Sequence, residues 1–334
     1  MQLLVNNATV VVSGTKIAAE IGTTRSEVWR LIQQLRSLGV DVAGHPATGY
    51  QLRAVPDLLL PEMLAPLIKG TIFSGMTSAR TPSAKTTLAK HIHHYYKIGS
   101  TNSEAMQAAA NGAPEGSIFL AEEQLAGRGR GAHTWHSAKS TGIYCSVILR
   151  PPMPPADVLL LSLAAGLAVR AAVSEIAPLP VDLKWPNDLL LNGKKLCGIL
   201  AEMNAEATRV RHLVIGIGIN VNQSKFPAEL RDVATSLCIE TGTEWSRVEL
   251  CAALLKSLDR EYRSFINDGA AFQAAVLKRF EEHSFLVRGR NVRVDESGLE
   301  GVTEGLDASG FLQIRTADGL QKVISGTIRL AGDS

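Results

Sequence analysis

Three short stretches of this chain combine residue types that handle phosphate. In the first, QLAGRGRGAHTWHS, Gly127, Arg128, Gly129, Arg130 and Gly131 alternate strictly. Glycine frees the backbone, and arginine carries a permanent, fork-shaped cation. Such a segment is an RNA-binding tract, a solvated loop, or a loop that closes over an anion. It joins two segments patterned as buried strands, Ile118 to Ala121 and Ile143 to Leu149, whereas RG tracts are repetitive and low in complexity. In the anion reading, backbone amides turn toward the ligand while Arg128 and Arg130 grip its oxygens.

The second stretch is KWPNDLLLNGKKLCGIL, residues 184 to 200. Pro186 fixes a turn that presents Asn187 and Asp188 at a strand end, where an oxygen pair suits Mg²⁺ bound with a nucleotide phosphate. Asn192-Gly193 is the strongest short hairpin signal. Beyond it, Lys194 and Lys195 point to opposite faces of the returning strand, so only one of them reaches the same site; Lys194 reads as the solvated one. The third stretch, GIGIN from Gly216 to Asn220, lacks the third glycine and the following helix of a dinucleotide fold. Glycines inside a strand instead mark a close approach to the backbone, here by a flat ligand. No Ser-His-Asp order, H-E-x-x-H or Walker A pattern competes, and the three stretches together point to phosphate chemistry.

The elements that carry these stretches follow from pattern. From residue 95 the chain reads as a strand-rich α/β domain with a buried helix from about Ala156 to Ile176, a strand over Val210 to Val221, and two helices near 246–266 and 270–283. After Phe285, short strands between Asp/Gly-containing turns suggest a small barrel. Ser74 to Lys90 reads as a flexible insertion and Pro56 to Pro61 as a linker. His91, His93 and His94 lack companions for a metal site and read as a polar strand edge. Upstream, residues 13 to 39 hold two helical patterns around Gly22-Thr23. The first carries Ile17, Ala18 and Ile21 on one face. The second opens with Thr24 and Glu27 in capping-box spacing, is apolar through Val28, Leu31, Ile32, Leu35 and Leu38, and stops at Gly39. Its other face offers Arg25, Trp29, Arg30, Gln33 and Arg36. With the extended pieces of VDVAGHPATGYQL as a wing, this is a helix-turn-helix pattern, although MQLLVNNATVVV is too short for a leading helix to be read in it.

The 334 residues suffice for two to three domains. A formal net charge of +2 excludes a global basic field, so any nucleic-acid contact must be a local patch. Cys145, Cys197, Cys238 and Cys251 lie far apart, which argues against a disulfide framework. The N-terminus lacks the basic start of a signal peptide, and the apolar run Val158 to Val169 is too short to span a bilayer. A cytoplasmic protein is expected.

GSTN at 99–102, EEQLAGRGR at 122–130, KWPND at 184–188, KKLCGIL at 194–200 and GIGINVN at 216–222 resemble, in order, the motif set of bacterial biotin protein ligases. With the helix-turn-helix, the chain looks like the bifunctional BirA type, biotin ligase and biotin operon repressor. The resemblance implies an α+β multidomain fold: a winged helix-turn-helix at 1–56, a biotin/lipoate ligase-like, class II synthetase-like catalytic domain at 57–285, and an SH3-like C-terminal domain at 286–334. It implies formation of biotinyl-5′-AMP from biotin and ATP with Mg²⁺, then transfer to a lysine of a biotin carboxyl carrier protein domain. Alternatives are a ligase whose N-terminal domain no longer binds DNA and a lipoate-type acyl ligase.

Residue by residue, the resemblance puts Ser100, Thr101, Asn102 and Gln124 at biotin's polar head. It puts Arg128, Gly129 and Arg130 in a loop that orders over the ligand, with Gly127 beside the adenylate and Trp135 at the loop's far side. Lys195 would meet the biotin carboxyl and the reacting phosphorus, assisted by Arg128 and Arg130. Asn187 would serve the phosphates and Asp188 the metal; Gly216, Gly218 and Asn220 would line the floor. Thr24, Arg25, Ser26, Trp29 and Arg30 would face operator DNA, bound by an adenylate-loaded homodimer. The family loop runs G-R-G-R-x-G-R-x-W; here Ala132 and His133 fill its sixth and seventh positions, substituting a methyl for a glycine hydrogen and an imidazole for a permanent cation.

Overall fold

The computed structural model describes residues 2–7, 10–37, 40–45, 47–54, 57–74, 91–131 and 133–332. The expected helix stop at Leu38-Gly39, Pro56 of the expected linker, most of the expected insertion (75–90) and Ala132 lie outside them. The chain forms two compact units, Met1–Leu58 and Leu59–Ser334.

The first unit runs α1 (Gln2–Asn6), α2 (Gly14–Glu20), α3 (Arg25–Ser37), β1 (Val42–His45) and β2 (Gly49–Leu52). A leading helix is therefore present. It is only five residues long and carries no capping or periodic signal, but it buries Leu4. Ser13 caps α2 by accepting from the Lys16 amide, and Thr24 caps α3 by accepting from the Glu27 amide. The α2–α3 core is Ile17, Ala18, Val28 and Ile32. Ile21, expected on that face, is 48% exposed because it follows the last helical residue of α2. β1 and β2 pair antiparallel, and Tyr50 exchanges backbone hydrogen bonds with Val12. Gly49 is required there, since a methyl would sit 2.1 Å from the Val12 carbonyl oxygen.

The expected linker is not a solvated one. Leu58, Leu59 and Leu60 are all buried, and Pro61 opens α4 (Pro61–Leu64). Ser74, expected in the insertion, is buried in a 3₁₀ turn. The second unit is built on a seven-stranded sheet of β3 (Ile92–Tyr95), β4 (Ile118–Ala121), β5 (Gly142–Leu149), β6 (Val181–Lys184), β7 (Asp188–Leu191), β8 (Lys194–Ala205) and β9 (Val210–Asn220). Its order is β3-β4-β5-β9-β8-β7-β6, antiparallel throughout except β3 beside β4. The hairpin between β7 and β8 turns on Asn192 and Gly193, both at positive φ (51° and 78°), the geometry of a type I′ turn.

Alternation along the strands divides the sheet into two faces. Cys145, Val147, Cys197, Ile199, Ile217 and Ile219 share the main core with α6 (Val158–Ile176), α8 (Arg247–Asp268) and α9 (Ala270–Glu282). On the opposite face, α5 (Thr101–Ala110) packs Ala105 and Ala109 against Phe119, Ile148 and Val214. The next residues along β5 and β9 on that face, Ser146 and Gly216, meet the first turn of α5 through Thr101 and Asn102. Among the described residues, the one helical segment long and apolar enough to cross a membrane is Pro155–Ile176, two-thirds of it buried inside the fold. A short α7 (Leu237–Thr241) precedes α8.

The C-terminal strands β10 (Arg288–Val294), β11 (Glu300–Leu306), β12 (Leu312–Thr316), β13 (Gly319–Val323) and β14 (Ile328–Leu330) form one antiparallel sheet in the order β13-β12-β11-β10-β14. Its end strands are not paired with each other, so the sheet is open where a closed barrel is expected. Its core side chains Val292, Leu312, Ile314 and Ile328 join the main core.

Candidate active site

Register across the sheet sets the floor of the site. Ser146 on β5 stands opposite Gly216 on β9, which stands opposite Leu200 on β8; two residues along, Tyr144, Gly218, Gly198 and Asp188 form a second row through β7. Three glycines in two neighbouring rows leave a shallow trough. A methyl on Gly218 would meet the Trp135 indole at 2.4 Å, and one on Gly198 would meet the same ring at 2.9 Å. The flat group that the glycines admit here is therefore the chain's own Trp135, lying across the floor rather than only at the loop's far side. A methyl on Gly216 would meet Asn102 Oδ1 at 2.1 Å.

A cleft of roughly 400 Å³ opens above this floor. At one end the start of α5 supplies a polar network. Ser100 caps the helix, Gln124 Oε1 accepts from the Thr101 amide at 2.8 Å and hydroxyl at 3.1 Å, and Gln124 Nε2 donates to Ser137. The Ser146 hydroxyl lies 2.8 Å from Asn102 Oδ1 and 2.9 Å from Thr101 Oγ1. Asn102 Nδ2 donates to Glu202 Oε2 at 2.8 Å.

The glycine/arginine loop is a tight hairpin, with Gly129 donating to the His133 carbonyl and Trp135 to the Gly127 carbonyl. The Gly129 N–H is thus used within the hairpin. Only Gly131 of the three glycines takes a positive φ, 63°. Gly127 is needed for another reason, because a methyl there would lie 2.4 Å from the Trp135 carbonyl oxygen. Arg128 pairs with Glu202 at 2.5 Å, and Arg130 reaches Asn187 Oδ1 at 3.2 Å and the Gly326 carbonyl at 3.3 Å.

At the other end, Lys195 Nζ lies 2.7 Å from Asp188 Oδ1 and 5.6 Å from the centre of the Trp135 ring. Lys194, as the alternation requires, goes elsewhere and donates to the Arg231 carbonyl. Lys184 also borders the cleft; burial pulls its ammonium below the ordinary lysine range, against the opposing pull of Asp188. Burial raises Tyr144 to about 12, so its hydroxyl stays protonated and donates to the Ala138 carbonyl. Glu296, Ser325, Gly326 and Thr327 bring an edge of the C-terminal sheet to the cleft.

Ser100, Thr101, Asn102, Gln124, Arg128, Gly129, Arg130, Trp135, Asn187, Asp188, Lys195, Gly216 and Gly218 thus border one cleft. Two expected residues do not. Gly127 lies at the base of the hairpin, and Asn220 is buried beyond the cleft, donating to the Thr235 carbonyl and accepting from Gln223. Sequence reasoning missed Ser146, Lys184, Glu202 and the C-terminal edge. A serine inside the apolar run IYCSVIL was the available signal for the first.

His93 stacks on Phe119, and His94 meets the buried Glu122, so these histidines belong to the β3 edge. No group of three or more His, Cys, Asp or Glu suited to a metal occurs among the described residues. On α3, Thr24, Arg25, Ser26, Trp29 and Arg30 are all exposed, Trp29 at 58%. Glu27 turns away from a reciprocal cap and holds Arg30 through two hydrogen bonds.

Residues 96–220 match the biotin/lipoate A/B protein ligase family, residues 1–51 an HTH domain, and residues 288–330 the biotin protein ligase C-terminal domain. The bifunctional ligase/repressor BirA of Bacillus subtilis (strain 168) is 36% identical over 96% of this chain and 94% of its own. The biotin–[acetyl-CoA-carboxylase] ligase of Mycobacterium tuberculosis is 35% identical over 65% of this chain and 80% of its own. The structure of the biotin protein ligase from Aquifex aeolicus in complex with biotin and ATP matches with a TM-score of 0.62 at 31% identity, covering 72% of this chain and 98% of that one.

Proposed function

This chain belongs to the BirA family of bifunctional biotin ligases and repressors, and on that premise we propose that it joins biotin and ATP into biotinyl-5′-AMP and passes biotin to a carrier lysine. A biotin carboxylate oxygen attacks the α-phosphorus of ATP and pyrophosphate leaves. The ε-amine of the carrier lysine then attacks the acyl carbon, AMP leaves, and an amide forms. The observation that carries this reading is that Lys195, Arg130 and Lys184 line one end of a cleft whose other end presents the neutral side chains of Ser100, Thr101, Asn102 and Gln124, with Glu202 behind Asn102 neutralised by Arg128. A neutral, hydrogen-bonding head and a reacting anionic tail need such a division.

The role of each residue is part of the proposal. Ser100, Thr101, Asn102 and Gln124 take the ureido head, and Gly216 and Gly218 give it room. Lys195, Arg130 and Lys184 concentrate positive charge on the phosphorus as negative charge builds there. Arg128 keeps the loop against β8 through Glu202, and Trp135 leaves the floor to cover the loaded site, excluding water from a labile anhydride. Asn187 meets the phosphates. Mg²⁺ commonly binds one or two carboxylates together with substrate phosphates rather than a protein cage; Asp188 fits that need as a carboxylate lining the cleft beside Asn187, its Oδ1 held by the mobile-ended Lys195 at 2.7 Å rather than by a rigid backbone donor. Bound there, the ion would neutralise phosphate charge.

The acceptor is a biotin carboxyl carrier protein domain, a choice supported by the name of the M. tuberculosis relative. We assign repression to the adenylate-loaded homodimer, acting through the exposed row Thr24, Arg25, Ser26, Trp29 and Arg30 on operator DNA in the cytoplasm. By role the chain divides at 1–56, 57–285 and 286–334, with a class II synthetase-like catalytic fold and an SH3-like final sheet. Radiolabelled biotin, ATP and a carrier domain test the ligase: failure to label the carrier refutes it. A gel shift on the protein's own upstream region, with and without biotin and ATP, tests the repressor, which falls if no ligand-dependent shift occurs.

A further inference from the structure

Glu202 lies on β8 just past KKLCGIL, outside every motif named above, yet its two carboxylate oxygens serve two parts of the cleft. Oε2 accepts from Asn102 Nδ2 at 2.8 Å, and Oε1 accepts from Arg128 at 2.5 Å. Asn102 is 4% exposed, so its amide must satisfy its hydrogen bonds within the fold. The end of that amide facing Glu202 also faces the Leu200 carbonyl at 3.5 Å. Carboxylate and carbonyl oxygens only accept, so this end must be the NH₂.

The opposite end is then fixed as the oxygen. Asn102 Oδ1 lies against Gly216, within 2.8 Å of the Ser146 hydroxyl. Thr101 gives its hydroxyl proton to Gln124, so Ser146 has one proton to share between Thr101 and Asn102. An amide oxygen has two lone pairs, and among the described residues only Ser146 donates to that of Asn102, which leaves one to accept from a ligand.

We propose that Glu202 is a positioning residue for recognition of the ureido ring: it holds Asn102 so that an acceptor, not a donor, faces the cleft, and ties that orientation to the loop through Arg128. This rests on the reading of the cleft as a biotin site. The ureido ring presents N–H donors, so an Asn102 amide with its nitrogen forward would set donor against donor. With Glu202 removed, the weak Leu200 contact and the proton that Ser146 shares with Thr101 are what remain, among the described residues, to oppose that flip.

The test is a charge-relocating swap, read as the biotin dissociation constant of the full chain without ATP by titration calorimetry. Glu202→Ala is expected to weaken biotin binding about tenfold, the loss of about one oriented hydrogen bond. Asn102→Asp sets two carboxylates against each other and is expected to weaken it about a hundredfold. Adding Glu202→Gln to Asn102→Asp reverses the bond: the glutamine NH₂ donates to the introduced carboxylate, and the glutamine oxygen accepts from Arg128. The double variant should recover to within about threefold of Glu202→Gln alone. A merely structural carboxylate gives no such rescue. A double variant that melts like the parent but binds no better than Asn102→Asp overturns the proposal, as does unchanged binding by Glu202→Ala. If the unaltered protein binds no biotin, the ligase reading itself falls, and this proposal falls with it.

Discussion

Lys195 and Asp188 form an ion pair of 2.7 Å across the β7–β8 hairpin, at the edge of the trough that Trp135 fills. The register between the two strands slips between Leu189 and Leu190, so Asp188 stands opposite Gly198 while Lys195 stands opposite Leu190. The lysine side chain therefore has to lean along the strand to reach the carboxylate. That lean brings the ammonium to the cleft wall, and Asp188 holds it there.

Lys195→Ala is expected to lower pyrophosphate release from biotin and ATP by about a thousandfold, the scale of losing one preorganised charge partner of a transition state. Thermal stability should hardly change, because the side chain is 36% exposed. Release at the parent rate would refute the assignment of Lys195 to the phosphoryl centre.

Gly216→Ala should weaken biotin binding by about ten- to a hundredfold. The added methyl would overlap Asn102 Oδ1 at 2.1 Å, and overpacking of this kind typically costs about 1–3 kcal/mol. Gly218→Ala meets the Trp135 ring instead, which in the proposed reading leaves the floor when ligand binds, so it should weaken binding less. Equal effects in calorimetry would argue against Asn102 as the group that reads the ligand head.

Some of this site was legible because its signals are local. Asn192-Gly193 announces its own φ values, Thr24 announces a helix start, and the GIGIN glycines announce that something lies on the strand. What lies there was not legible, because the Trp135 side chain reaches Gly218 only through the hairpin of its loop. Ser146 and Glu202 were hidden for a related reason. Their partners Asn102 and Arg128 are fixed by register among β5, β9 and β8 and by the docking of α5. The C-terminal sheet was read as closed because turn spacing is the same for open and closed sheets; its register shifts near Asn291 and Gly305 are not written in the turns.

Arg130→Gly should leave adenylate formation measurable but let the adenylate escape, because Arg130 ties the loop tip to Asn187 and to the Gly326 carbonyl. Bystander lysines on an added inert protein should then acquire biotin, read by streptavidin blot. Labelling confined to the carrier domain would show that the loop closes without this arginine.

Burial holds the Lys184 ammonium below 10.5, with Lys195 and Arg329 adding repulsion and Asp188 opposing them. If Lys184 meets the triphosphate as proposed, that cation loses charge at lower pH than an exposed lysine does. The apparent affinity for ATP should therefore fall on the alkaline side before pH 10.5, and Lys184→Arg should move that fall upward. A profile identical in the two proteins would remove Lys184 from the phosphate site.

Glu122 follows the last residue of β4, two residues before Gln124, and it is 1% exposed. Burial alone would raise its pKa. Hydrogen bonds from His94 and the Leu59 amide, with the charge of Arg247 at 2.8 Å, outweigh burial and hold it below 4.5. A carboxyl whose folded value is lowered adds stability that is complete above its unfolded value and is lost as pH falls through the folded one. The contribution should thus be intact at neutral pH and fade below about 4.5. Glu122→Ala should cost about 3–5 kcal/mol, the penalty for removing one member of a buried ion pair, and it should flatten the acid limb of the stability profile. Glu122→Gln, which keeps an acceptor but no charge, should fall between. Urea midpoints measured from pH 3 to 8 decide this: if the acid limb of Glu122→Gln matches that of the parent, the carboxylate is not what holds the base of the loop.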